Sequence, residues 1–206
     1  LHIRVLIGMV LGLGVTRLLS GLARIIQHPG RDKLYWVHLA WGLWMLLMLM
    51  HFWWWEYRLY DVEVWSFRSY FYVIGYAVLF FLICTLLFPD DMTDYDGFRD
   101  YFLSRRRWIF GLIGLSFVVD VGDTLIKGTG YLQSLGVEYP VRILLHIALC
   151  MVAMATRNGV FHALFVLAAL VRVVLGDADT DAMERFLCWV PALLGGLHVA
   201  LLFLLG

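Results

Sequence analysis

Long apolar runs separated by short polar segments dominate the pattern of this sequence. An α-helix rises ~1.5 Å per residue, so a run of ~20 apolar residues can cross the ~30 Å hydrocarbon layer of a membrane. The third run ends at residues 89–91, because proline and two carboxylates cannot continue into hydrocarbon. The predicted spans cover residues 3–26, 35–55, 66–88, 108–126, 140–156, 160–175 and 186–205. The pattern therefore predicts an all-α, polytopic transmembrane helix bundle of about seven spans, with six as the alternative count, in a single membrane domain over residues 1–206.

The fifth and sixth predicted spans are separated only by Arg157, Asn158 and Gly159. A charged, turn-prone triplet between two apolar runs indicates a tight helical hairpin at a membrane face. A single bent helix is the alternative.

Polar and aromatic residues are interleaved in the segment 92–107, which precedes the fourth span. Phe98, Tyr101 and Phe102 recur at the i, i+3, i+4 spacing of one helix face, and three arginines close the segment at 105–107. This pattern is typical of a short helix that lies at the cytoplasmic interface and anchors the protein there.

Two further patterns concern the surfaces of the spans. Gly14, Arg17, Gly21 and Arg24 share one face of the first span, and small residues on such a stripe let a neighbouring helix approach closely. Three consecutive tryptophans at 53–55 point in different directions around a helix, which favours an aromatic belt at the membrane surface over a ligand-stacking box.

The composition strengthens the membrane interpretation. The chain is 62% hydrophobic and 16% charged, whereas soluble domains average about 45–50% and about 25%. Its 16 basic and 16 acidic residues cancel, and only Lys33 and Lys127 are lysines, so no polycationic surface is available for nucleic acid. The composition excludes a water-soluble domain and a nucleic-acid partner. We expect a multi-pass protein whose surroundings are the lipid bilayer, in the cell inner (plasma) membrane.

The orientation follows from arginine and lysine, which are enriched in cytoplasmic loops. Alternating spans place eight of these residues on one side and seven on the other, so the arginines at 105–107 decide the assignment. The sequence predicts a cytoplasmic loop at 89–107, an N-terminus outside and a C-terminus in the cytoplasm.

Ionisable residues inside the spans carry the candidate chemistry, because a charge in hydrocarbon costs at least about 2.5 kcal/mol. Depth along each helix sorts six of them into two groups. The midplane group is Arg17, Asp120 and His198, and the group in the outer half is His51, Asp123 and His146. We expect Arg17 to pair with Asp120, and Asp123 to exchange protons with the two imidazoles of its group.

Such a stack of carboxylates, imidazoles and a guanidinium can relay protons or neutralise a permeating ion, because histidine titrates near neutral pH and burial shifts carboxylates toward it. The favoured function is a channel-like or transporter-like pathway for protons or another small ion. In the alternative, the same groups are packing contacts in a noncatalytic scaffold or accessory subunit of a larger membrane complex or homo-oligomer.

A third hypothesis is a b-type haem protein. Two histidines thirteen residues apart on the second span have nearly the spacing that would hang one haem toward each membrane face. The haem-ligand set would be His38, His51, His146 and His162. Against this, thirteen residues at ~100° each turn the two histidines of the second span about 140° away from a common face.

No motif of an enzyme or a metal site accompanies these residues. GxSxG and HExxH are absent from the sequence. Cys84, Cys150 and Cys188 lie in different spans without CxxC spacing, so they indicate neither a disulfide framework nor a metal cluster. The sequence predicts no enzyme activity, no metal and no cofactor, with haem as the alternative.

Overall fold

A computed structural model describes residues 2–28, 30–56, 59 and 65–175, and this part of the chain is all-helical. The predicted all-α class is therefore confirmed. The helices are α1 (His2–Gln27), α2 (Trp36–Trp55), α3 (Phe67–Leu87), α4 (Phe98–Ile126), α5 (Thr129–Ser134), α6 (Glu138–Ala155) and α7 (Gly159–Leu175).

Five of the described helices, α1, α2, α3, α4 and α6, are long and apolar enough to cross a membrane, and α7 is apolar but shorter. These helices indicate an integral membrane protein. The seventh predicted span, residues 186–205, lies outside the described residues. The count of about seven spans and the predicted orientation of the termini stay predictions.

The segment between α6 and α7 contains two helix ends. Thr156 is extended, with φ −85° and ψ 148°, and the Asn158 side chain accepts hydrogen bonds from the amides of Val160 and Phe161 at the start of α7. An Asn side chain that bonds to the first free amides of a helix is a standard N-cap. The two predicted helices are thus distinct, and the alternative of a single bent helix is wrong.

The structure differs from the prediction at the start of α4, which is one continuous helix from Phe98 rather than an interfacial helix followed by a span. The stripe of Phe98, Tyr101 and Phe102 is helical as predicted, but its members are only 5%, 4% and 0% exposed. They pack around the His38 ring of α2, with ring centroids 5.0 to 6.0 Å apart. The aromatic stripe is therefore part of the protein core, because the first turns of α4 have a protein neighbour that the sequence pattern did not reveal.

The chain forms two compact units, residues 1–166 and residues 167–206. In the first unit α3 packs against α1 and α4, α4 packs against α6, and α2 contacts α1, α3 and α4. Of the second unit only residues 167–175 are described, and they form the end of α7.

The glycine stripe of α1 faces the end of α3, so the close helix approach that the stripe predicts is made with α3. A Cβ atom at Gly14 would lie 3.3 Å from the Cys84 sulfur, and one at Gly21 would overlap the Phe88 ring. Arg17 belongs to the same stripe, and its Nη2 atom lies 2.5 Å from the carboxylate of Asp90 just beyond α3. The small residues let α3 approach closely.

Candidate functional site

Three charged side chains meet where α2 and α4 end. Lys127 Nζ lies 2.7 Å from Glu56 Oε1 and 2.6 Å from Asp123 Oδ2. The side chains of Lys127, Glu56 and Asp123 are only 4%, 3% and 2% exposed. Glu56 follows the last residue of α2, while Asp123 and Lys127 are one helical turn apart on the same face of α4. The packing of α2 against α4 thus buries an ammonium between two carboxylates.

The three groups do not balance in charge. Burial and the negative charge of Asp123 raise the pKa of Glu56 to about 7, although Lys127 works in the opposite direction. Burial alone would lower the pKa of Lys127, but the charges of Asp123 and Glu56 outweigh it and raise that pKa. Lys127 is therefore the fixed positive charge, and the carboxylates share the remaining capacity for a proton.

Each carboxylate also keeps one oxygen without a partner. Glu56 Oε2 and Asp123 Oδ1 are buried and accept no hydrogen bond from any described residue. A buried carboxylate oxygen without a donor is costly, because it has lost its water. Both oxygens belong to carboxylates that share one ammonium and lie within hydrogen-bonding reach of each other, so the two carboxylates can share one proton.

A second layer of polar groups lies about one turn before Asp123 on α4, around Asp120. Asp120 Oδ2 accepts a hydrogen bond from the Tyr139 hydroxyl of α6 at 2.9 Å, and Oδ1 accepts one from Tyr76 of α3 at 3.4 Å. The Tyr139 hydroxyl also lies 3.0 Å from Thr124 Oγ1. We call Glu56, Asp120, Asp123 and Lys127 the charged cluster. It extends over ~10 Å of the α4 axis at ~1.5 Å per residue.

Close packing of α3 on α4 supports the second layer. The Tyr72 hydroxyl of α3 donates to the Val119 carbonyl at 2.8 Å. A Cβ atom at Gly122 would overlap that hydroxyl, so α4 needs a glycine where the tyrosine crosses it.

The structure corrects the predicted pair of Arg17 and Asp120. Arg17 forms an ion pair with Asp90 instead, and Asp120 is held by two tyrosines. Equal depth does not make two groups neighbours: α1 packs chiefly on α3, and Asp90 beyond the end of α3 meets the arginine first.

The predicted proton cluster of the outer half is also assembled differently. His51 Nδ1 bonds to the Leu47 carbonyl and His146 Nδ1 to the Arg142 carbonyl, each one turn back on its own helix. Asp123 forms its ion pair with Lys127. His198, the third member of the predicted midplane group, lies outside the described residues.

Two of the histidines of the haem hypothesis, His38 and His162, are fully buried at the opposite end of the bundle from the charged cluster. Both rings contact Phe102, with centroids 6.0 and 5.1 Å away, and His162 also stacks on Phe110 at 5.3 Å. Aromatic side chains thus occupy the space beside both imidazoles. The other two histidines of that hypothesis, His51 and His146, contact the rings of Trp55 and Phe117.

Sequence reasoning missed Glu56 and Lys127 in the site. Both stand just outside an apolar run, where a charge usually indicates a solvated loop. The spacing of Asp123 and Lys127 was the available signal, because a carboxylate four residues before a lysine lies on the same helix face. No comparable signal linked Glu56 to them, since 71 residues separate it from Lys127.

Within residues 2–28, 30–56, 59 and 65–175, no three His, Cys, Asp or Glu side chains are placed to hold a metal ion. Comparison of the chain with protein-family models, curated proteins and solved structures finds no match. The case for a function therefore depends on the charged cluster itself.

Proposed function

We propose that this membrane protein carries protons, or another small monovalent cation, and that Glu56 and Asp123 form the loading site. The two unpaired carboxylate oxygens are the observation that carries the proposal. Each belongs to a carboxylate whose other oxygen contacts Lys127. A proton bound to either free oxygen neutralises the net negative charge of the three groups without breaking an ion pair.

The electrostatics favour exchange near neutral pH. With a pKa of about 7, Glu56 gains and loses a proton in the range where cellular membranes maintain pH gradients. Lys127 stays charged and holds both carboxylates in place, so the change of charge is confined to Glu56 and Asp123. The proton binds to a carboxylate oxygen and leaves from the same oxygen, and no covalent bond to another group forms.

Asp120 extends the site toward the membrane interior. It lies about one turn from Asp123 on α4, and the hydroxyls of Tyr76 and Tyr139 both contact it. A phenol hydroxyl can accept one proton while donating another, so these groups can pass a proton along the helix. Beyond Asp120, the buried face of α4 carries Ser116 and then Ile113 and Phe110.

The apolar side chains of Ile113 and Phe110 cannot relay a proton through the remaining half of α4. We therefore favour a transporter-like mechanism, in which the helices move to expose the charged cluster to the second side, over a permanent proton wire. The same movement would serve a small cation, since both carboxylate oxygens are ligands that such ions accept.

Proton flux into liposomes, followed with an internal pH dye, tests the proposal. The parent protein should acidify or alkalinise the lumen under an imposed pH gradient, and Glu56→Gln and Asp123→Asn should reduce flux to the level of empty liposomes. Asp100→Asn is the matched control, because Asp100 is an exposed carboxylate on the same helix. Thermal melts of each variant verify folding. Parallel assays with sodium and potassium gradients identify a cation other than the proton.

Absence of flux in the parent protein under all of these gradients would contradict the proposal and favour a scaffold or accessory subunit. Unchanged flux in folded Glu56→Gln and Asp123→Asn proteins would show that the pathway lies elsewhere in the chain.

A further inference from the structure

A second buried charge lies at the other end of α4. Arg106 is only 7% exposed, whereas its neighbours Arg105 and Arg107 are exposed. Its Nη1 atom donates to the Leu103 carbonyl at 2.6 Å, and its buried Nε atom has no hydrogen-bond partner in the described part of the chain. Among the described residues no carboxylate lies within ion-pair distance of Arg106. A buried guanidinium without a counter-ion is costly, because burial removes the water that would otherwise solvate it.

The electrostatic surroundings of Arg106 are positive. Arg157, in the segment between α6 and α7, and Arg107 both repel it, and Arg106 in turn acts on His162 of α7. Arg106 shares the α4 face of Phe102 and Phe110, whose rings contact that imidazole, and its charge acts on His162 in the first turns of α7.

The first helical turn of α7 adds to this positive field. A helix N-terminus carries about half a positive charge, which favours an anion nearby. Asn158 already satisfies the amides of Val160 and Phe161. The N-terminus therefore contributes its dipole, and Arg106 supplies the free hydrogen-bond donor.

The level of Arg106 along α4 indicates which anions can reach it. The apolar part of α4 begins near Trp108, which is 65% exposed, as expected of an aromatic residue at the headgroup level of a bilayer. Arg106 is two residues before it, about 3 Å along the axis. Arg107 and Arg157 are exposed at the same end of the bundle. Phosphate groups of lipids lie at this depth, and guanidinium binds phosphate with two parallel hydrogen bonds.

We propose that Arg106, with Arg157 and the N-terminus of α7, forms a binding site for a phosphate group. The phosphate belongs either to a lipid headgroup or to a soluble phosphate on the same side of the membrane. Its oxygen atoms would accept hydrogen bonds from the Arg106 guanidinium and supply the missing counter-charge. The site is separate from the charged cluster, so it does not depend on the proposed transport activity.

Ligand-dependent melting of the full chain in a phosphate-free maltoside detergent tests the site. The probes are inorganic phosphate, short-chain phosphatidic acid, and a short-chain diacylglycerol that lacks phosphate. Stabilisation by inorganic phosphate and phosphatidic acid would assign a free phosphate group, and stabilisation by phosphatidic acid alone would assign a lipid headgroup. In either case the dissociation constant should weaken about tenfold or more in Arg106→Gln, since a charge-assisted hydrogen bond contributes on that scale.

Arg107→Gln is the matched control, because the residue is adjacent, equally charged and exposed. It contributes to the positive field but donates no hydrogen bond at the site, so its loss should weaken binding much less than Arg106→Gln does. If Arg106→Gln does not fold, Arg106→Lys and Arg157→Gln replace it. Arg106→Lys keeps the charge but loses the planar donor pair, and Arg157→Gln removes an exposed charge, so both should weaken binding.

Three results would overturn the proposal. The first is equal stabilisation by the phosphate-free lipid. The second is equal loss of binding in Arg107→Gln, and the third is parental binding in Arg106→Gln, or in both Arg106→Lys and Arg157→Gln.

Discussion

Lys127→Met should destabilise the protein more than any single change to the carboxylates that surround it. Methionine has nearly the length and volume of lysine, so the substitution removes the charge and leaves no large cavity. Glu56 and Asp123 then face each other in a buried site without a cation. We expect the free energy of unfolding to fall by about 3–5 kcal/mol, the usual loss when one partner of a buried ion pair is removed.

Neutralising one carboxylate should not cause the large loss of stability that is expected of Lys127→Met. Glu56→Gln leaves Lys127 with Asp123, 2.6 Å away, and brings the three groups to a net charge of zero. We therefore expect Glu56→Gln not to destabilise the protein, because a balanced buried pair is roughly neutral in stability and the cost of ionising Glu56 is removed. In the triple variant Lys127→Met, Glu56→Gln, Asp123→Asn, most of the loss caused by Lys127→Met should be recovered.

Unfolding by SDS titration in mixed micelles, followed by the fluorescence of the nine tryptophans, measures these differences. The control is Lys33→Met, which changes the only other lysine of the chain at an exposed position and should move stability by no more than about 0.5 kcal/mol. Equal stability of Lys127→Met and the parent protein would refute the buried ion pairs. So would strict additivity of the three single losses in the triple variant, since groups in contact must show coupling.

Three further predictions address other parts of the structure. Burial raises the pKa of Glu56 from its ordinary 4.5 to about 7, so the folded protein binds this proton more tightly than the unfolded chain does. The stability of the parent protein should therefore fall as pH rises from 4.5 to about 7. Melts of Glu56→Gln at several pH values should lack this pH dependence, and an unchanged dependence would assign it to another group. Gly122→Ala should lower the free energy of unfolding by about 1–3 kcal/mol in the same assay, because the new methyl group overlaps the Tyr72 hydroxyl. The control Gly12→Ala, at an open helix position, should not lower it. Cysteine introduced at exposed Ser104 should resist membrane-impermeant thiol reagents in intact cells if that end of α4 is cytoplasmic, and rapid labelling would reverse the predicted orientation.

The helices could be predicted because their lengths are dictated by the membrane. The predicted run 35–55 begins one residue before the observed α2 and ends at the same residue. The predicted run 66–88 is longer than the observed α3 by one residue at each end. Alternation of apolar runs and polar segments is a property of each segment alone, so a single sequence displays it. The glycine stripe of α1 is equally local and predicts close approach of a neighbouring helix, which the structure shows to be α3.

The charged cluster could not be predicted in the same way, because its members come from separate helices. Depth arithmetic gives the height of a residue in the membrane but not the helix that faces it. It therefore paired Arg17 with Asp120, whereas the helix order places Asp90 beside the arginine. The cluster also includes Glu56 and Lys127 from the ends of their helices, where a charge in the sequence usually indicates a solvated loop.

The ion pair between Glu56 and Lys127 also imposes an order on biogenesis. The two residues are 71 positions apart, so at ~5–20 residues per second the ribosome adds Lys127 about 4–14 s after Glu56. During that interval α3 and α4 are synthesised, and the Glu56 carboxylate at the end of the finished α2 lacks its ammonium partner. A ribosome that stalls between the two codons would leave that carboxylate without its cation.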